Sequence, residues 1–145
     1  MSDTISESPT AEQRRCDRLL AAAEKVAGAA SWDVVATEVD AFAQATESHF
    51  RLEEEGLFPA LESAAPGAAG PTSVMRMEHQ QIRQLIEELA AAVEANDQQE
   101  CLGLMETLHL LIQQHNAKEG AILYPLADRT LAERADALLG ERGAA

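Results

Sequence analysis

Aromatic and basic residues are scarce in this chain of 145 residues, and long apolar runs are lacking. Only 3% of the residues are aromatic, and the wealth of alanine, leucine, glutamate and glutamine favours helices over sheets. Lysine and arginine number 11 against 25 acidic residues, so the net charge of −14 argues against nucleic acid or an anionic membrane surface as partner. No segment approaches the roughly 20 apolar residues that span a bilayer.

Cysteine is also scarce. Cys16 and Cys101 lie far apart and form no CxxC motif, which is typical of a reducing compartment and not of a disulfide framework. The N-terminus has neither a basic segment nor an apolar run, so we expect no signal peptide. These features together predict a cytoplasmic protein.

An internal repeat organises the chain. Residues 49–59, HFRLEEEGLFP, match residues 115–125, HNAKEGAILYP, at an offset of 66 (115 − 49 = 66). Each copy has a glutamate four residues after its histidine, then an apolar pair and a proline. The two histidine–glutamate pairs are His49 with Glu53 and His115 with Glu119.

The same offset relates the remaining parts of the chain. His79 corresponds to Gln13 (79 − 66 = 13), and Glu78 corresponds to Glu12. We interpret the chain as two copies of a helical hairpin that present polar ligands. The second copy is complete, and the first has glutamine where a histidine is expected.

Apolar periodicity and loop signals predict four long helices. The expected domains are a disordered tail over 1–8, a four-helix bundle over 9–128, and a short C-terminal helix with a tail over 129–145. Thr72 or Ser73 should open the third helix, and Pro59 should kink the second because proline removes a backbone hydrogen bond. Short connections favour an all-α, up-down-up-down arrangement. We expect a short last helix over about 131–139.

The paired histidines and glutamates fall on the apolar stripes of their helices. Residues four apart share one helix face, so each pair should point into the bundle. A buried carboxylate normally survives only when it is paired or bound to a metal, and imidazole with carboxylate suits iron, manganese or zinc. One such pair could be an exposed ion pair, but two copies with His79 in register favour a metal site.

This pattern, one histidine on the third helix with HxxxE on the second and fourth, resembles the hemerythrin-like HHE cation-binding domains over about residues 9–128. The resemblance implies a non-haem di-iron centre inside a four-helix bundle, with Glu53 and Glu119 bridging the metals. It also implies that His79 and His115 bind one metal and that His49 binds the other. Members of the family bind dioxygen, sense oxygen, iron or nitric oxide, or handle peroxide.

Two positions depart from the family pattern. Gln13 stands where the family has a first-helix histidine, so we expect weakened metal binding at that position. Three outcomes stay open: a di-iron site with water at the vacant position, a single metal, and a degenerate site. One iron, manganese or zinc ion is the alternative to two irons. A role for Gln13 in helix capping is the competing interpretation. Arg83 stands where hemerythrins have a further ligand and cannot bind a metal. Its repeat mate is Asp17, and the hypothesis is that the two pair across the bundle.

Several other side chains are interpreted without a metal role. His109 lies about 120° around its helix from His115, so we do not expect it to be a ligand. Tyr124 and Phe58 fall nine residues after their histidines, roughly opposite the metal face, and we expect packing groups. Cys16 is expected to be a small core residue.

The sequence is consistent with three functions. The favoured one is a non-enzymatic binder of dioxygen, nitric oxide or iron, with a small diatomic molecule or peroxide as ligand. An iron-dependent enzyme that activates peroxide or oxygen ranks lower, because no separate acid–base pair is evident. The third is a structural bundle without metal. A homodimer and a separate signalling partner both stay open.

Overall fold

A computed structural model describes residues 7–29 and 31–131, and within these ranges the chain is helical with no strand. Four long helices form the frame, and the second and fourth each continue through a π-helical turn into a short helix. The elements in order are α1 (Glu7–Ala27), α2 (Trp32–Leu52), a first π turn (Glu53–Leu57), α3 (Phe58–Ala64), α4 (Ala69–Glu94), α5 (Gln98–Lys118), a second π turn (Glu119–Leu123) and α6 (Tyr124–Thr130).

The long helices pack in a closed ring. Helix α1 contacts α2 and α5, and α4 contacts the same two helices, so each helix lies beside its neighbours in sequence. Short connections make successive helices antiparallel. The predicted up-down-up-down bundle is therefore confirmed, because each amphipathic helix buries its apolar stripe against the next.

Some helix ends differ from the prediction. Helix α4 begins at Ala69 and not at Thr72, because Pro71 fits the first turn of a helix, where its missing N–H would have no partner. Asn96 and Asp97 form the turn before α5. Asn96 has a positive φ of 55°, and Asp97 accepts a hydrogen bond at 3.1 Å from the backbone N–H of Glu100. The short helix predicted over 131–139 falls almost entirely outside the described residues.

Each proline of the repeat follows a π turn. Pro59 and Pro125 are the second residues of α3 and α6, directly after the turns that begin at Glu53 and Glu119. Proline has no N–H to donate, and a π turn bonds residue i to i+5, so the wider turn accommodates the loss without a break in the helix. The predicted kink is thus taken up as one extra residue in the turn.

That extra residue changes which side chains face the core. In an uninterrupted α-helix, Ile122 would lie on the same face as Glu119, three residues earlier. Ile122 is 53% exposed, whereas Leu123 is 1% exposed. A π turn uses about one residue more than an α turn, so every side chain after Glu119 rotates by roughly 100° from its α-helical position.

The bundle interior consists of two apolar clusters with a polar layer between them. One cluster lies toward the α4–α5 turn and includes Leu20, Phe42 and Leu89. The other lies around α3 and α6 and includes Leu61 and Leu123. The buried polar side chains of this layer are Thr46, His49, Glu53, His79, His115 and Glu119.

Over the described residues, no helix is both long and apolar enough to cross a membrane.

The register after Glu119 can be tested with two neighbouring truncations. We expect Leu123→Ala to lower the free energy of unfolding by about 2–5 kcal/mol, as for other buried leucines. Ile122→Ala is the matched control and should change it by about 0.5 kcal/mol or less, because its side chain is mostly in water. Denaturant unfolding of both variants gives the comparison, and a larger loss for Ile122→Ala would contradict the π turn.

Candidate metal centre

Four of the five predicted ligands form one compact group at the centre of the bundle. Glu53, His79, His115 and Glu119 each offer an atom within 4.8 Å of all the others, and all four side chains are buried. His49 stands beside this group, with its Nε2 3.6 Å from an oxygen of Glu53. The fold thus brings together side chains from α2, α4, α5 and both π turns.

Several polar atoms of these residues have no hydrogen-bond partner despite being buried. His79 Nε2 lies 3.1 Å from Glu53 Oε1, and His115 Nε2 lies 3.2 Å from Glu119 Oε1, but the angles are not those of hydrogen bonds. The orphaned atoms are Nε2 of His49, His79 and His115, Oε1 of Glu53 and Oε2 of Glu119. Buried polar atoms are normally satisfied, so a convergent set of unsatisfied nitrogens and oxygens fits a cation between them.

Each imidazole is also hydrogen-bonded, at its Nδ1 nitrogen, to a glutamate of another element. His49 Nδ1 is 2.9 Å from Glu12, His79 Nδ1 is 2.7 Å from Glu54, and His115 Nδ1 is 2.8 Å from Glu78. An ionised carboxylate only accepts hydrogen bonds, so Nδ1 must carry the hydrogen. In the neutral ring the lone pair is then on Nε2 and faces the site, which is the arrangement of metal-binding histidines.

Sequence reasoning did not identify Glu12, Glu54 and Glu78 as partners of the histidines. A signal was present for two of them. Glu12 and Glu78 are repeat mates, and each contacts a histidine 37 residues further along the chain. Glu54 has no such signal, because its repeat mate is Gly120 (120 − 66 = 54).

Arg83 supports the site, but through a different partner from the one predicted. Its guanidinium donates to Glu54 at 2.8 and 2.9 Å and to Glu47 at 2.8 and 3.1 Å. The predicted pairing with Asp17 was wrong, because two carboxylates of α2 and the first π turn lie within reach of Arg83 and take up its donors. The arginine therefore fixes Glu54, which in turn fixes His79.

Gln13 points into the site, but with the wrong end for a metal ligand. Its amide nitrogen lies 2.9 Å from Glu119 Oε1 and 2.9 Å from the hydroxyl oxygen of Tyr124. Its NH₂ thus faces these two oxygens, and an amide nitrogen has no lone pair free for a metal. The capping interpretation was wrong too, since α1 begins at Glu7 and Gln13 lies in its second turn.

Tyr124 was predicted to face away from the site, and this was wrong. Its hydroxyl donates to Glu53 Oε2 at 2.5 Å and lies 3.3 Å from Glu119 Oε1. The π turn between His115 and Tyr124 accounts for the change, because it brings the ring around by about one residue's rotation. Phe58, the repeat mate, is a packing group as predicted, but it too lies on the side of the site, with its ring centroid 5.7 Å from that of His79.

The remaining candidates lie away from the centre. His109 is exposed. Burial raises the pKa of Asp17, and the nearby His109 acts in the opposite direction on that pKa. Cys16 is buried, as predicted, and both cysteines are free thiols.

The buried charges shift one another's pKa values. Burial, and then the charge of Glu119, raise the pKa of Glu53 to about 7, and burial also raises the pKa of Glu119. Burial alone would lower the pKa of His49, but the charge of Glu53 and the bond to Glu12 outweigh it and raise the pKa to about 8. For His115 burial prevails and lowers the pKa. Without metal, the centre therefore retains protons that a cation would displace.

A small pocket opens beside the histidines. Its volume is about 10 Å³, enough for a single water-sized molecule. It is lined by Gln13, Cys16, Thr46, His49, Phe50, Ile82, Ile112, His115 and Asn116.

The geometry is that of a histidine–carboxylate metal site inside a four-helix bundle. A family model described as the hemerythrin HHE cation-binding domain matches residues 3–127, and the chain belongs to that family. No curated protein and no solved structure matches the chain.

The raised pKa of Glu53 predicts how the stability of the metal-free protein depends on pH. A carboxyl with a pKa of about 7 when folded and 4.5 when unfolded stabilises the fold fully below pH 4.5 and loses this contribution as the pH rises through 7. The glutamine of the Glu53→Gln variant stays neutral at every pH. The free energy of unfolding of this variant, relative to that of the original protein, should therefore rise between pH 5 and 8. One pKa unit is worth about 1.4 kcal/mol, and we expect a gain of at least that order.

The measurement is denaturant unfolding of both chelator-treated proteins across this pH range. Two parallel stability curves would contradict the buried, protonated carboxyl.

Proposed function

We propose that this protein binds non-haem iron, with two irons per chain bridged by Glu53 and Glu119. The observation that supports it is the convergence of three unsatisfied imidazole nitrogens on two buried carboxylates. Membership of a cation-binding family supports metal binding, and the nitrogen and oxygen donors suit iron. His79 and His115 would hold one ion, and His49 the other.

We further propose that the bound iron takes a small molecule such as dioxygen or nitric oxide, or a peroxide. Iron supplies an open coordination position and a reversible change of oxidation state at the metal. The pocket beside His49 and His115 supports a ligand of the smallest size only, because it has room for about one water-sized molecule. Its wall is largely apolar, with Phe50, Ile82 and Ile112, and would exclude larger polar substrates. The free thiols suit a reducing cytoplasm as the compartment.

Metal content is the first test. Protein loaded with ferrous iron and desalted should retain about two irons per chain. His115→Ala should lower iron affinity by roughly 100-fold or more, because it removes a ligand and not only its support. His109→Ala is the matched control on the same helix and should bind as the original protein does, since that imidazole is exposed.

An iron content near zero in the original protein would contradict the proposal, as would equal affinities for the two variants. About one iron per chain would contradict the bridged pair while leaving a single metal site.

Small-molecule binding is the second test. Anaerobic ferrous protein titrated with nitric oxide should give a saturable absorption change that reverses when the gas is removed. Dioxygen should bind to the ferrous protein in the same reversible way. Peroxide added in a separate assay should not be turned over, because the described residues place no acid–base pair at the site besides the ligands. Continued turnover of peroxide that His115→Ala abolishes would instead assign an enzyme, and no spectral change with either gas would contradict the small-molecule proposal.

A further inference from the structure

Tyr124 has the only phenol in the chain, and its oxygen lies among the atoms of the metal centre. The side chain is buried, and its oxygen is 2.5 Å from Glu53 and 3.3 Å from Glu119. Both proposed bridging carboxylates therefore contact the same phenol. A phenol in this position can do one of two things: donate a hydrogen bond, or give up its proton and bind a cation.

In this structure Gln13 does not present a metal-binding atom at the position where the repeat has a histidine. Its NH₂ faces Glu119 and Tyr124, and an amide nitrogen carries no lone pair free for a cation. The same NH₂ is placed to donate to the phenol oxygen, whether that oxygen is protonated or not. Gln13 therefore positions Tyr124 in this structure and does not replace a histidine.

The two copies of the repeat contact each other at these positions in two pairs. His79 of the second copy lies against the apolar ring of Phe58 of the first copy. In the equivalent pair, Gln13 of the first copy contacts Tyr124 of the second (13 + 66 = 79, 124 − 66 = 58). Each pair thus contains one side chain that can bind a metal strongly, an imidazole in one and a phenol in the other.

The supporting carboxylates differ between these two pairs in the same way. Glu54 accepts a hydrogen bond from Nδ1 of His79, and its repeat mate is Gly120, which has no side chain to hold an imidazole at position 13. A histidine at position 13 would therefore lack the acceptor that orients a metal-binding imidazole. A tyrosine needs no such acceptor, because the atom that binds the metal is its own hydroxyl oxygen.

We propose that Tyr124 is an iron ligand, which binds through its phenolate oxygen at the subsite of His49, Glu53 and Glu119, in place of a first-helix histidine. The inference rests on the proposed iron site. On binding, the O–H bond breaks, the proton leaves to solvent and the oxygen donates an electron pair to the ferric ion, so no electron is transferred. Gln13 then donates its hydrogen bond to the phenolate.

The test is spectroscopic, and the single tyrosine makes its assignment unambiguous. Ferric protein of measured iron content should show a phenolate-to-iron charge-transfer band in the visible region. Excitation in that band should enhance tyrosine ring vibrations in the Raman spectrum. Tyr124→Phe should lose both signals while still binding iron at the subsite of His79 and His115, because the ligands of that subsite remain.

Gln13→Leu provides a second readout that does not depend on removing the tyrosine. A hydrogen bond to a phenolate stabilises its electrons, so loss of the donor should shift the band to longer wavelength without abolishing it. A structural tyrosine would give no band to shift.

The outcomes separate this inference from the iron proposal. Iron bound with no phenolate band, or a band that survives in Tyr124→Phe, overturns the tyrosine ligand alone. A failure of the original protein to bind iron overturns both.

Discussion

Two carboxylates buried side by side impose the strongest constraint on this bundle. Glu53 and Glu119 have no exposure to water, and like charges in such a place repel and are poorly solvated. Protons can relieve this cost, as the raised pKa of Glu53 indicates. A cation relieves it further, because it attracts both carboxylates at once. The three surrounding imidazoles, each fixed with Nε2 inward, are the neighbours that such a cation requires.

The carboxylates behind the imidazoles extend this constraint to the surface. Arg83 binds Glu54, and Lys118 lies 2.5 Å from Glu78. Each of these cations offsets the charge of a glutamate that orients a histidine. The chain's acidity thus has a local role at the site, where hydrogen bonds run from surface cations through carboxylates to imidazoles. The fold of all four long helices is needed to assemble these bonds, since no helix contributes both members of a histidine–glutamate pair of this kind.

Much of this arrangement could be predicted from the sequence. The offset of 66 residues and the HxxxE spacing were sufficient for the bundle and for the five central side chains, because helical periodicity converts spacing into direction. The direction of Gln13's amide could not be predicted, since it depends on acceptors contributed by another helix. Arg83's partners were missed for the same reason. Long-range contacts of this kind leave no periodic trace.

The π turns mark the other limit of prediction. The sequence indicated a kink at Pro59, whose repeat mate is Pro125, but a kink and an inserted residue have the same signature in sequence. Only the inserted residue rotates the side chains beyond it, and this rotation places Leu123 in the core and Tyr124 against the carboxylates. Helical periodicity counted across such a turn is therefore wrong by one position from there onward.

The same turns explain how a repeated fold can have two chemically different halves. Both copies carry a π turn after the glutamate, so both present the residue at the start of the next short helix to the interior. In one copy that residue is Phe58, which packs near His79, and in the other it is Tyr124, which contacts Glu53. The backbone is equivalent at the two positions, and a single hydroxyl oxygen distinguishes them. The packing of the bundle can therefore stay symmetric while the donors at its centre do not.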